Sequence, residues 1–168
     1  MQNRKPLILA IDDEPGITQR IKEVIEERLG WDVITSNSGK NGLKTLQRHK
    51  TWAGIGQNKI DCLILDIKMP DMDGLEMLKK WRKSEGFYEL MNVILLSAHE
   101  DEEKWAKATN PVCGAAAKYL KKPYVPDELI DTLEKIVIGK HGEYMRDDLR
   151  DQSYARRKEL RSTKTEIL

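Results

Sequence analysis

The sequence has little cysteine, almost no net charge and no long apolar run, and each of these absences removes a class of function. Its two cysteines, Cys62 inside an apolar stretch and Cys113 beside Gly114, have neither the number nor the spacing of a disulfide scaffold or a zinc site. Both are expected to be reduced structural thiols. With 29 Lys+Arg against 28 Asp+Glu, the net charge of +1 gives no reason to invoke a nucleic-acid or membrane partner. The N-terminal segment MQNRKPLILAIDDEP offers a short apolar stretch before its first acids, too little for a signal-peptide core or a membrane span. A cytoplasmic location with no membrane partner is therefore expected. No internal repeat is visible, and the GxG of TWAGIGQNK lacks the third glycine and the preceding strand that a dinucleotide loop needs. At 168 residues there is room for one domain of roughly 120–150 residues and a short appendage, and not for a second full domain.

What is present is an alternation. Short apolar runs at 7–11, 31–35, 62–65, 93–96 and 118–120 read as buried strands. Between them, Ile17, Ile21, Val24, Ile25 and Leu29 recur at helical spacing, on a helix entered through Pro15 and left through Gly30. Leu43 and Leu46 mark a second helix, and Leu75, Leu78 and Trp81 a third after Gly74. Trp105 and Ala108 mark a weaker fourth, and Leu129, Ile130, Leu133, Ile136 and Val137 a fifth that starts near Pro126 and ends at Gly139. Strict strand–helix alternation predicts a (βα)5 unit over 1–139, with a doubly wound parallel sheet covered on both faces. Residues 140–168 are charge-rich and sparsely apolar. They read as a solvated helix or tail in preference to a docking helix.

In such folds ligands bind beyond the carboxyl ends of the strands. Asp12 and Asp13 follow the first run, Asp66 ends the third, Ser97 ends the fourth and Lys122 follows the fifth. Taken singly, each has an ordinary explanation: helix-capping acids before Pro15, a turn acid before Met69-Pro70, a strand-end hydroxyl, a solvated lysine. Taken together, five such accidents would have to fall at the ends of four strands that the fold gathers at one edge. Three crowded carboxylates need a cation, and an all-oxygen set suits Mg2+ or Mn2+. Beside that ion an aspartate could attack a phosphoryl group while Lys122 pairs with the same group.

The segments LILAIDDEP, LILDIKMPDMDGLEML, VILLSAH and GAAAKYLKKPY resemble the receiver domains of two-component response regulators, a CheY-like superfamily, across 1–139. The resemblance implies a flavodoxin-like sheet in the order 2-1-3-4-5. It implies that Asp66 is the phosphoacceptor, and that Asp13, Asp66 and the backbone carbonyl of Lys68 ligate Mg2+, with Asp12 acting through water. It makes Ser97 the switch hydroxyl, Lys122 the phosphoryl-pairing lysine ahead of a cis Pro123, and Tyr119 the switch aromatic. Lys68 and His99 flank the site at positions that tune the lifetime of the phosphorylated state. Met69, Pro70 and Gly74 would shape the turn after Asp66. The stretches 47–59 and 99–111 are longer than the compact family pattern.

The function implied is a signalling switch, with self-phosphorylation and autodephosphorylation chemistry, in place of a metabolic enzyme. It takes its phosphoryl group from a sensor histidine kinase or phosphotransfer protein. It signals through the face of the fourth helix, fifth strand and fifth helix, where Trp105 could anchor a partner, and the family also dimerises there on phosphorylation. A metal-dependent phosphatase would need an aspartate two residues after Asp66, where this chain has Lys68. A scaffold that binds partners without phosphorylation is the alternative, disfavoured by the complete acid, hydroxyl and lysine set. Residues 140–168, with eight Lys+Arg against six Asp+Glu, are too few and too evenly charged for a DNA-binding domain, so direct DNA binding is not expected. Three outputs fit equally: a stand-alone receiver, a phosphorelay shuttle, or the receiver of a larger regulator whose linker begins in this tail.

Overall fold

Both faces of the central strands are covered, which is why their sequences are unbroken apolar runs with no polar alternation. The computed structural model of the chain describes residues 4–50, 58–85, 91–98 and 118–139. In order these form β1 (Leu7–Ile11), α1 (Pro15–Leu29), β2 (Asp32–Ser36), α2 (Gly39–Arg48), β3 (Cys62–Asp66), α3 (Gly74–Arg82), β4 (Asn92–Ser97), β5 (Lys118–Lys121) and α4 (Pro126–Val137). Helix α4 is thus the fifth helical pattern of the sequence. The expected fourth helix around Trp105 and Ala108, the lifetime candidate His99, Cys113, most of the glycine loop (51–57) and the segment 140–168 lie outside the described residues.

All pairings are parallel, in the order β2-β1-β3-β4-β5, so the fold is the doubly wound, flavodoxin-like one. Alternate residues of each strand feed two separate cores. Leu9, Ile11, Leu63, Leu65, Val93 and Leu95 pack with Leu46 of α2 and with Met77, Leu78 and Trp81 of α3. Ile8, Ala10, Cys62, Ile64, Ile94, Leu96 and Leu120 pack on the other face with Ile21 and Ile25 of α1 and with Leu129, Leu133 and Ile136 of α4. Burial pushes the Cys62 thiol far above its ordinary range, in keeping with an inert structural cysteine.

The helix boundaries follow local chemistry. Pro15 opens α1 and Gly30 closes it at φ 65. Ser38 caps α2 by accepting from Asn41 N–H, and Asp73 caps α3 by accepting from Leu75 N–H. The main shift from expectation is β2, which runs one residue later than 31–35. Trp31 is buried but precedes the strand, packing into the α1/α4 layer.

At the sheet edge opposite the carboxyl ends lies a buried polar knot that the sequence did not announce. The Arg82 guanidinium donates to Glu85 Oε2 at 2.6 Å and to the Met91 carbonyl at 2.8 Å, while Glu85 Oε1 accepts from the Trp81 indole and from Met91 N–H. The ion pair is nearly enclosed, and it ties the end of α3 to the start of β4.

Candidate functional site

Strand register decides which residues meet. Ile11 pairs with Leu65, so one step further along Asp12 lies beside Asp66; Asp66 pairs with Leu96, and Ser97 with Lys121. Backbone bonds hold this edge closed: Asp12 N–H donates to the Ser36 carbonyl, Ile67 N–H to Leu96, and Lys122 N–H to Ser97 at 2.7 Å.

Of the five residues singled out by position, four converge through their side chains. Asp12, Asp13 and Asp66 each offer a carboxylate oxygen within 4.8 Å of the others. Asp12 and Asp66 are buried while Asp13 is exposed, so the cluster opens to solvent on one side. The Lys122 ammonium bridges the two buried acids, 2.6 Å from Asp12 Oδ2 and 2.7 Å from Asp66 Oδ1. The other Asp12 oxygen accepts from Glu14 N–H. Ser97, buried at the end of β4, joins through its backbone, and its hydroxyl donates to the Ala98 carbonyl. Tyr119 on β5 is half-buried against the α2/α3 core. Lys68 lies two residues past β3 with its side chain exposed. The Lys122–Pro123 peptide is cis.

The electrostatics reflect confinement. Burial pushes the Asp66 carboxyl up to about 6; the hydrogen bond and charge of Lys122 work the other way, and Asp12 and Asp13 add to the rise. Burial works against the charge of Lys122, but its bonds to Asp12 and Asp66 outweigh it and hold the ammonium above its usual range. Three carboxylates and one ammonium leave two negative charges in a small space. A divalent cation with hard oxygen preference cancels that charge, so the donor set fits Mg2+ or Mn2+.

Gly74 makes the turn after Asp66 possible. A Cβ there would collide with the Asp66 carbonyl oxygen, and Gly74 N–H donates to the Ile67 carbonyl at 2.9 Å. One contact escaped the sequence reading: Asp71, in the same turn, accepts from the backbone N–H groups of Gly39 and Lys40 at 3.3 Å each. No local pattern could have shown it, because the partner amides lie about thirty residues away on another element.

The sequence profile described as "Response regulator receiver domain" matches residues 8–134. The chain belongs to that family. This receiver is 34% identical over 122 residues to the alkaline phosphatase synthesis transcriptional regulatory protein PhoP of Bacillus subtilis, covering 73% of this chain and 44% of that one. It is 33% identical over 130 residues to the two-component response regulator ARR10 of Arabidopsis thaliana, covering 77% of this chain and 21% of that one. The receiver thus spans less than half the length of these two relatives. Its fold matches a crystal structure of a response regulator receiver domain protein from Clostridium thermocellum, with TM-score 0.67 and 30% identity over 79% of this chain and 94% of that one. It also matches the receiver domain of the Francisella response regulator 1452, with TM-score 0.63 and 31% identity over 80% and 98%. Receivers of this family are signalling switches that work with histidine kinases and output domains, and they bind Mg2+ at an acidic pocket. No described helix is long and apolar enough to cross a membrane.

Proposed function

We propose that Asp66 accepts a phosphoryl group from the phosphohistidine of a partner kinase or phosphotransfer protein. The observation that carries this reading is the Lys122 ammonium bridging Asp12 and Asp66, beside three carboxylates that share one solvent-open pocket. A carboxylate oxygen of Asp66 attacks phosphorus, and the N–P bond breaks with its electron pair going to the imidazole nitrogen. Asp13, Asp66 and the Lys68 carbonyl, with Asp12 through water, would hold Mg2+, which when bound screens the charge of the incoming group. Lys122 leaves its carboxylate partner to pair with a phosphoryl oxygen, and the Ser97 hydroxyl donates to another. Tyr119 follows by turning inward, shifting a two-state equilibrium whose readout is the face of β5 and α4 together with the segment containing Trp105. That face serves a downstream protein or a second copy of the phosphorylated chain. Lys68 and His99 set how fast water attacks the acyl phosphate; equal lifetimes after alanine substitution at both would remove that role. A scaffold independent of phosphorylation is not favoured, since no member of the acid and lysine set is missing.

The test is intact-protein mass after incubation with Mg2+ and a small-molecule phosphodonor. One added phosphoryl group is expected, absent from Asp66→Asn and from a chelated control. No addition to the unmodified chain would overturn the reading.

A further inference from the structure

The four N–H groups that open a helix have no partner inside it, and at α2 three of them, those of Gly39, Lys40 and Asn41, have acceptors outside the helical ladder. Asn41 N–H donates to the Ser38 hydroxyl, and Gly42 N–H begins the helix's own ladder by donating to the Ser38 carbonyl. The first two, Gly39 and Lys40, donate to Asp71 Oδ1 and Oδ2 respectively. Asp71 belongs to another element, the turn between β3 and α3. A second contact binds the same pair of elements: a Cβ on Gly39 would lie 3.1 Å from Met72 Cβ and 3.2 Å from the Met72 carbonyl, so the absence of a side chain lets α2 sit directly on that turn. At its far end the turn is fixed to α3 by Asp73, which accepts from Leu75 N–H, and by the close approach of Gly74 to the Asp66 carbonyl.

We propose that Asp71 is a positioning residue for the metal site: its carboxylate clamps the 67–73 turn onto the N-terminus of α2 and thereby aims the Lys68 backbone carbonyl. The helix end favours a negative charge at that place, and one carboxylate serving two amides restrains the turn in two directions. Asp71 is exposed, so solvent competes for its bonds and its effect on global stability is small. What it controls is local: without the clamp, the segment carrying Lys68 is still held at Ile67, which donates to Leu96, and at Gly74, but its middle loses the tie to the α2 amides. A carbonyl ligand that must be re-ordered on binding costs affinity, as other groups that orient metal ligands do. This inference rests on the proposed Mg2+ site, and its test separates the two.

The full chain, Asp71→Ala and Asp71→Asn are compared by amide hydrogen exchange without metal and by Mn2+ titration. Asp71→Ala is expected to speed exchange at Gly39 and Lys40 roughly tenfold, as for a lost helix cap, and to weaken Mn2+ binding about tenfold. At saturating Mg2+ its phosphorylation rate should return to that of the parent, because the acids and Lys122 are untouched. Asp71→Asn, which keeps a neutral acceptor, should fall between. Unchanged exchange at both amides would overturn the clamp. Faster exchange with unchanged Mn2+ affinity would overturn its link to the metal. A parent chain that binds no Mn2+ would overturn the metal site itself, and with it the aiming of Lys68.

Discussion

At Asp66 two effects oppose each other, and burial wins: the carboxyl sits near 6 even with an ammonium 2.7 Å away. Because the folded chain holds this proton more tightly than the unfolded one, stability falls as pH rises from about 4 to about 6 and then levels off. Lys122, shifted upward from 10.5, keeps its contribution through this window and loses it only in strong alkali. Asp66→Asn should therefore stabilise the metal-free chain at pH 7.5 by about 1–3 kcal/mol, with the gain fading toward pH 4. Urea midpoints at the two pH values read this directly; a gain independent of pH would show that Asp66 is not the strained group. The acids and Lys122 were legible in the sequence because each stands within two residues of the end of an apolar run, so strand ends alone brought them together. Asp71, Arg82 and Glu85 were not, since each gets its meaning from a partner on another element.

Among the elements, the central strands were readable to within a residue because burial on both faces leaves no polar position between their ends. The edge strand β2, buried only in part, gave no such frame, and the bulk of Trp31 drew its expected start one residue early. The turn from β3 to α3 is the element most constrained by its residues. At Gly74 the helix start and the Asp66 backbone approach too closely for any side chain, and the obstacle is backbone, which cannot swing aside. Gly74→Ala is expected to cost several kcal/mol, at the upper end of single substitutions. At Gly16 in α1, where a Cβ meets nothing within 4 Å, the same change should be neutral or stabilising by roughly 0.5–1 kcal/mol. Chemical denaturation of the two variants makes the comparison, and equal losses would contradict the packing described at Gly74.

For the whole molecule, alternation of runs and helices was enough for a parallel sheet, but not for its order: right-handed crossovers fix the hand of each step and leave open which neighbour comes next. The order 2-1-3-4-5 came from resemblance. That order has a thermodynamic consequence, because it puts the acid cluster at the ends of β1 and β3, adjacent strands 54 residues apart by the register of Ile8 with Cys62. The unfolded chain cannot assemble the cluster, so any ion that binds there stabilises folding through mass action. Mg2+ at 100 times its dissociation constant should add about 2.7 kcal/mol to the unfolding free energy. Asp13 isolates this effect from the fold's own electrostatics, since it is exposed and, unlike Asp12 and Asp66, no ion pair to Lys122 is seen for it. Asp13→Asn should leave metal-free stability within about 0.5 kcal/mol of the parent and remove most of the Mg2+ shift. Thermal melts of both chains with and without Mg2+ decide the matter. If the variant kept the full shift, the ion would be binding elsewhere and the acid cluster would owe its proximity to Lys122 alone.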